Sequence, residues 1–118
     1  MIKERSMIVN QYPSEDDSLL ISLWEYIKSS GNQKLYNQVN KHIDMLELHG
    51  LEMNKRFKRK SFKQLDKDLY ELRPDNVRIT FTIDSIGVAW LLTWFKKESD
   101  ETPPHEIDKA RKIKNKLK

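Results

Sequence analysis

The chain has 118 residues, a formal net charge of +4 and no cysteine. That length supports one small domain with a modest core, read here as residues 1–118, and the lack of thiols excludes disulfides, cysteine nucleophiles and cysteine zinc sites. Neither an apolar run approaching about 18 residues nor a signal-peptide pattern occurs, so the expectation is a cytoplasmic protein with no membrane partner, and its basic excess suits a polyanion.

Met7 to Tyr12 reads as a first strand, closed by Pro13. Ser14 followed by Asp17 resembles a capping box that starts a helix. Leu20, Leu23, Trp24 and Ile27 then recur at helical spacing, which places Trp24 in the core, and the polar run from Ser29 to Asn32 ends the helix. A second helix runs from about Gln33 to His49, with Leu35, Tyr36, Val39, Ile43 and Leu46 on one stripe and Gly50 as its C-terminal cap. The two form a helical hairpin that covers one face of a sheet. His42 and His49 stand two turns apart, too far to share one metal ion, and read as surface residues.

Asn54 to Lys67 is a basic connecting loop. Lys55, Arg56, Lys58, Arg59, Lys60 and Lys63 are its candidate RNA-phosphate contacts, with Phe57 and Phe62 as buried anchors. Three antiparallel strands follow: Leu69 to Arg73, then Val77 to Ile83 across a Pro74-Asp75-Asn76 turn, then Val88 to Phe95 across a turn at Asp84 to Gly87. Period-2 alternation puts Ile79, Phe81 and Ile83 toward a core and Arg78, Thr80 and Thr82 on a polar face. Where that face meets its neighbour, Glu71, Arg73 and Arg78 lie close together as a candidate anion site. Val88 to Leu92 is apolar without alternation, as a central strand covered on both faces should be, and it delivers Lys96 and Lys97 at the strand end. Thr102 and Pro103 then start a terminal helix whose buried stripe is Ile107, Ala110, Ile113 and Leu117.

No serine triad order, glycine-rich phosphate loop or metal-ligand cluster is present, so neither a cofactor nor a metal is expected. RNA cleavage without metal needs none of these. The ribose 2′-hydroxyl is the nucleophile, and the protein orients it, moves protons and stabilises charge.

The run YELRPDNVRITF (Tyr70 to Phe81), the strand ending in Phe95-Lys96-Lys97, and the TPPHEIDKARK helix (Thr102 to Lys112) resemble the C-terminal half of the RelE/ParE toxin superfamily, and more narrowly its HigB-like branch. The resemblance covers the whole chain in outline and is sharp after Leu65. It implies an α+β, RelE-like fold: a small four-stranded, mainly antiparallel sheet packed by an N-terminal helical hairpin, with a C-terminal helix. It also implies a type II toxin, a ribosome-dependent endoribonuclease whose partners are a cognate antitoxin, mRNA and the ribosome. Carried across, Arg78 contacts the scissile phosphate, Lys97 is the later basic residue and Arg73 the second arginine. Lys96 assists as a phosphate contact or proton donor, and Glu71 is either a base or an orienting partner for the arginines. The chain carries Thr93 where the branch commonly has histidine, and Glu98 where it has threonine. Two other readings stay open: a ParE-like inhibitor of DNA gyrase and a non-catalytic RNA-binding module.

Overall fold

The computed structural model describes residues 8–11, 18–50 and 61–117. Its elements are β1 (Ile8–Gln11), α1 (Ser18–Ser30), α2 (Gln33–His49), β2 (Phe62–Asp66), β3 (Leu69–Leu72), β4 (Val77–Ile83), β5 (Val88–Lys96) and α3 (Pro104–Lys114). The α+β architecture is as expected, but the sheet has five strands, in the order β1-β5-β4-β3-β2. The end of the supposed basic loop is the fifth. Phe62 turns inward to 3% exposure, and Phe62 to Asp66 pairs antiparallel with β3. The cluster Lys55, Arg56, Lys58, Arg59 and Lys60, together with Phe57 and the Ser14–Asp17 cap, lies outside the described residues. β2 to β5 are mutually antiparallel, while β1 lies parallel against β5.

The helical hairpin follows from its punctuation. Gly31 (φ 64°) leaves α1 in a conformation that a β-carbon disfavours, and the side chain of Asn32 accepts the Leu35 N–H at 3.0 Å as the N-cap of α2. Gly50 (φ 57°) closes α2 with its N–H on Leu46 O. Leu23 and Ile27 of α1 and Leu35, Val39 and Leu46 of α2 then bury against Val77, Ile79, Phe81, Ala89 and Leu91 of the sheet. Trp24 packs at the edge of this core, whereas Tyr36 is displaced from the buried stripe it was assigned to. Trp24 is half-buried, Tyr36 is 46% exposed, and their rings meet at 5.4 Å at the rim.

The terminal helix packs on the opposite face of the sheet. Ala110, Ile107, Ile113 and Leu117 close over Leu69, Leu92 and Trp90, and Arg111 holds Asp66 of β2 in an ion pair. Covered on both faces, β5 is an interior strand, between β1 and β4, as its unbroken apolar run implied. Between Thr80 and Phe81 the register with β5 shifts, and Leu92 is the extra residue of the bulge.

Candidate anion-binding site

The site lies where α3 stops covering the sheet. Alternation puts Glu71 of β3 opposite Thr80 of β4, and Thr80 opposite Thr93 of β5, all on the α3 side. This polar face is buried, where alternation alone left it open. Glu71, Thr80, Thr82 and Thr93 are each at most 4% exposed. Burial of this kind requires partners. Thr80 and Thr93 share a hydroxyl–hydroxyl bond of 2.6 Å, and the Thr82 hydroxyl donates to Asp68 O at 2.5 Å.

Glu71 anchors the charged end. Its Oε1 lies 3.3 Å from Arg73 Nε and 3.9 Å from Arg78 Nε, and its Oε2 accepts the Thr102 hydroxyl at 2.7 Å. Burial raises the Glu71 pKa, against the opposing pull of that hydroxyl and the two guanidiniums. Thr102 was expected to cap the terminal helix. That helix instead begins at Pro104 with Pro103 as its N-cap, which leaves the hydroxyl for Glu71. The link ahead of it folds over the same face, where Asp100 O accepts from Arg73 Nη2 at 2.7 Å and the Asp100 carboxylate sits 3.1 Å from Lys97 Nζ.

Arg78 is 6% exposed. Its Nε stays near Glu71, while Nη1 turns around the strand end and donates to Val77 O at 2.9 Å and Asp75 O at 2.8 Å. The β3–β4 turn that presents this last carbonyl is closed by Val77 N–H on Pro74 O and holds Asp75 at φ 52°. The Lys97 N–H is tied to Asn76 O at 2.7 Å, which fixes the lysine beside the same turn. Burial and then the neighbouring Arg73 lower the Arg78 pKa, against the opposing pull of Glu71, Asp100 and Asp75.

Arg73, Arg78 and Lys97 open together into a cleft of about 600 Å³, whose other walls are Ser61, Asp75 and the α2 residues Lys34, Gln38 and His42. The remaining candidates lie apart from it. Lys96, one residue earlier on β5, points to the other face with Nζ 5.4 Å above the Tyr26 ring. Lys63 stands opposite Glu71 in the β2–β3 register and contributes to its electrostatic surroundings. His105, a histidine in the first turn of α3 and not among those candidates, is exposed and near Glu106. Among the described residues no group of three histidine or acidic side chains is arranged to hold a metal ion.

His42 is the cleft residue that the sequence reading placed wrongly. Only 4% exposed, it is no surface residue. The available signal was its position three residues after Val39 and seven after Leu35, which is the buried stripe of α2. Its Nδ1 lies 2.7 Å from Gln38 O, and since a carbonyl only accepts, Nδ1 carries the proton. Nε2 is then a bare acceptor, buried and without a partner among the described residues. Burial, with Lys41 and Arg78 nearby, lowers the imidazole pKa and keeps the ring neutral.

A family model described as phage-derived protein Gp49-like (DUF891) matches residues 27–115, from the end of α1 through α3. No curated protein matches the chain.

Proposed function

The chain belongs to the phage-derived Gp49-like family (DUF891), a RelE-like toxin family of toxin–antitoxin systems, and from that premise we propose that it is a HigB-like, ribosome-dependent endoribonuclease that cuts mRNA. The observation that carries this reading is the convergence of Arg73, Arg78 and Lys97 on one cleft at the end of the sheet. A phosphodiester seated there meets cations placed by strand ends and a closed turn, which is how charge developing on a phosphate is stabilised without reorganisation.

In this mechanism the ribose 2′-oxygen attacks the adjacent phosphorus. The Arg78 guanidinium binds the non-bridging oxygens, and Arg73 supports it from the neighbouring strand. Lys97 gives a proton to the departing 5′-oxygen, which leaves a 2′,3′-cyclic phosphate and a 5′-hydroxyl. Glu71 is an orienting partner in this scheme and not the base, because it is fully buried beneath the arginines it pairs with. The cognate antitoxin supplies an acidic segment that fills the cleft and neutralises its cations.

The test is a reconstituted translation reaction in which transcript ends are mapped, run beside a gyrase supercoiling assay. Cleavage within translated codons that requires ribosomes is the expected result. Inhibition of supercoiling with intact transcripts would overturn the nuclease reading in favour of gyrase binding.

A further inference from the structure

Resting on the nuclease reading, we infer that His42 of α2 is the general base of the cleft, taking the proton of the ribose 2′-hydroxyl on Nε2. The strand side of the cleft offers mainly cations to hold a phosphate, with the Asp75 carboxylate of the exposed β3–β4 turn as its other acid. Asp100 is engaged with Lys97, and Glu71 lies under Arg73 and Arg78. The acceptor comes from the helix wall. Lys34, Gln38 and His42 succeed one another at four-residue steps, so α2 turns this row toward the cleft that Arg73, Arg78 and Lys97 close from the sheet.

Two independent features mark Nε2. The bond from Nδ1 to Gln38 O fixes the tautomer, so that the lone pair belongs to Nε2, as a helper carbonyl does for a working imidazole. That lone pair is also buried without a partner among the described residues, and such an atom in a native fold calls for an explanation, of which a catalytic role is one. In the free molecule it is sheltered. Hydrogen bonds to a base commonly form only in the loaded complex.

The charges around the ring make it a base only when substrate is present. Lys41 on its own helix and Arg78 across the cleft oppose its protonation, and Lys34, Arg73 and Lys97 line the same cleft, with Asp75 of the turn as the acid among them. A bound phosphodiester adds negative charge to this ring of cations and makes imidazolium easier to form. The step then balances. The 2′-hydroxyl proton moves to His42 Nε2, the O2′–P bond forms, the P–O5′ bond breaks, and Lys97 protonates the 5′-oxygen. Solvent afterwards removes the proton from His42 and restores the one on Lys97.

The experiment compares single-turnover cleavage by the wild type, His42→Ala and His42→Gln on programmed ribosomes across pH, with and without added imidazole. Loss of His42 should slow cleavage by about 100- to 10,000-fold, the usual worth of a general base. It should also abolish the acid limb of the pH profile, and imidazole should restore part of the rate to His42→Ala. A purely structural role would give no such rescue. In the wild-type protein, the NMR titration midpoint of His42 should rise when inorganic sulfate replaces chloride at equal ionic strength. A His42→Ala protein that cuts at the wild-type rate with its acid limb intact overturns this assignment and leaves the nuclease reading standing. An unmoved midpoint in sulfate also overturns it, and needs no variant to fold. A wild type that cuts nothing removes the nuclease reading and this inference together.

Discussion

The two faces of the sheet are built on different principles. Beneath the helical hairpin, Val77, Ile79, Phe81, Ala89 and Leu91 make one continuous apolar layer, each at most 2% exposed. On the other face the apolar patch under α3 is formed by Leu65, Leu69, Leu92 and Trp90, and beside it lie Glu71, Arg78, Thr80 and Thr93, buried to 6% exposure or less and held by pairwise bonds. Apolar burial is additive and tolerant of small shifts, whereas buried polar groups gain little net energy and lose heavily when a partner is removed. The hairpin face therefore carries the stability, and the second face uses its buried bonds to aim charges at the cleft.

Substitutions that exchange the effects of the two faces test that division. The largest expected effect is on the hairpin face. Phe81→Ala removes a ring packed against Phe62 and Tyr70 and should cost about 3–5 kcal/mol of stability, read as a large fall in thermal midpoint. Recovery of wild-type melting in that variant would show that the apolar layer is not the stabilising one.

On the second face Arg78→Ala should raise the cleavage barrier by about 2–4 kcal/mol, the worth of one preorganised electrostatic donor. Since Arg78 also satisfies two turn carbonyls and neighbours Glu71, stability should fall by about 1–3 kcal/mol as well, checked by denaturant unfolding. Arg78→Lys keeps the charge without the planar fork and should recover only part of the activity.

A smaller effect is written in pH. The folded pKa of His42 is depressed from 6.5, so in the window just below that value the unfolded chain binds the additional proton, and stability falls as pH drops through it. Glu71 acts in the opposite sense. Its folded pKa is raised from 4.5, so the native protein holds that proton more tightly and stability falls as pH rises through the folded value. Thermal melts against pH should lose the first slope in His42→Gln and the second in Glu71→Gln. Slopes unchanged in both would contradict these directions.

The smallest effect belongs to Asp100, whose carboxylate is exposed and pairs with Lys97 at the cleft edge. Asp100→Asn should leave melting unchanged and tighten binding of an RNA fragment at low salt, a gain that fades as salt is raised. Equal binding at all salt concentrations would show that this acid does not compete with phosphate.

Much of this architecture is contained in local patterns of residues. The capped hairpin of helices, the alternation of β4, the unbroken apolar run of β5 and the stripe of the terminal helix each follow from a period or a punctuating residue, and each is an interaction between near neighbours in the chain. Contacts that join distant segments are not encoded that way. Nothing local tells Phe62 to begin an edge strand, Thr102 to abandon a helix cap for Glu71, or the terminal helix to choose the face opposite the hairpin. The same holds for His42. Its stripe position announces burial, but only the docking of α2 beside the β3–β4 turn brings its bare nitrogen to the cleft of Arg73, Arg78 and Lys97, because that meeting depends on where the sheet ends and not on any spacing in the chain.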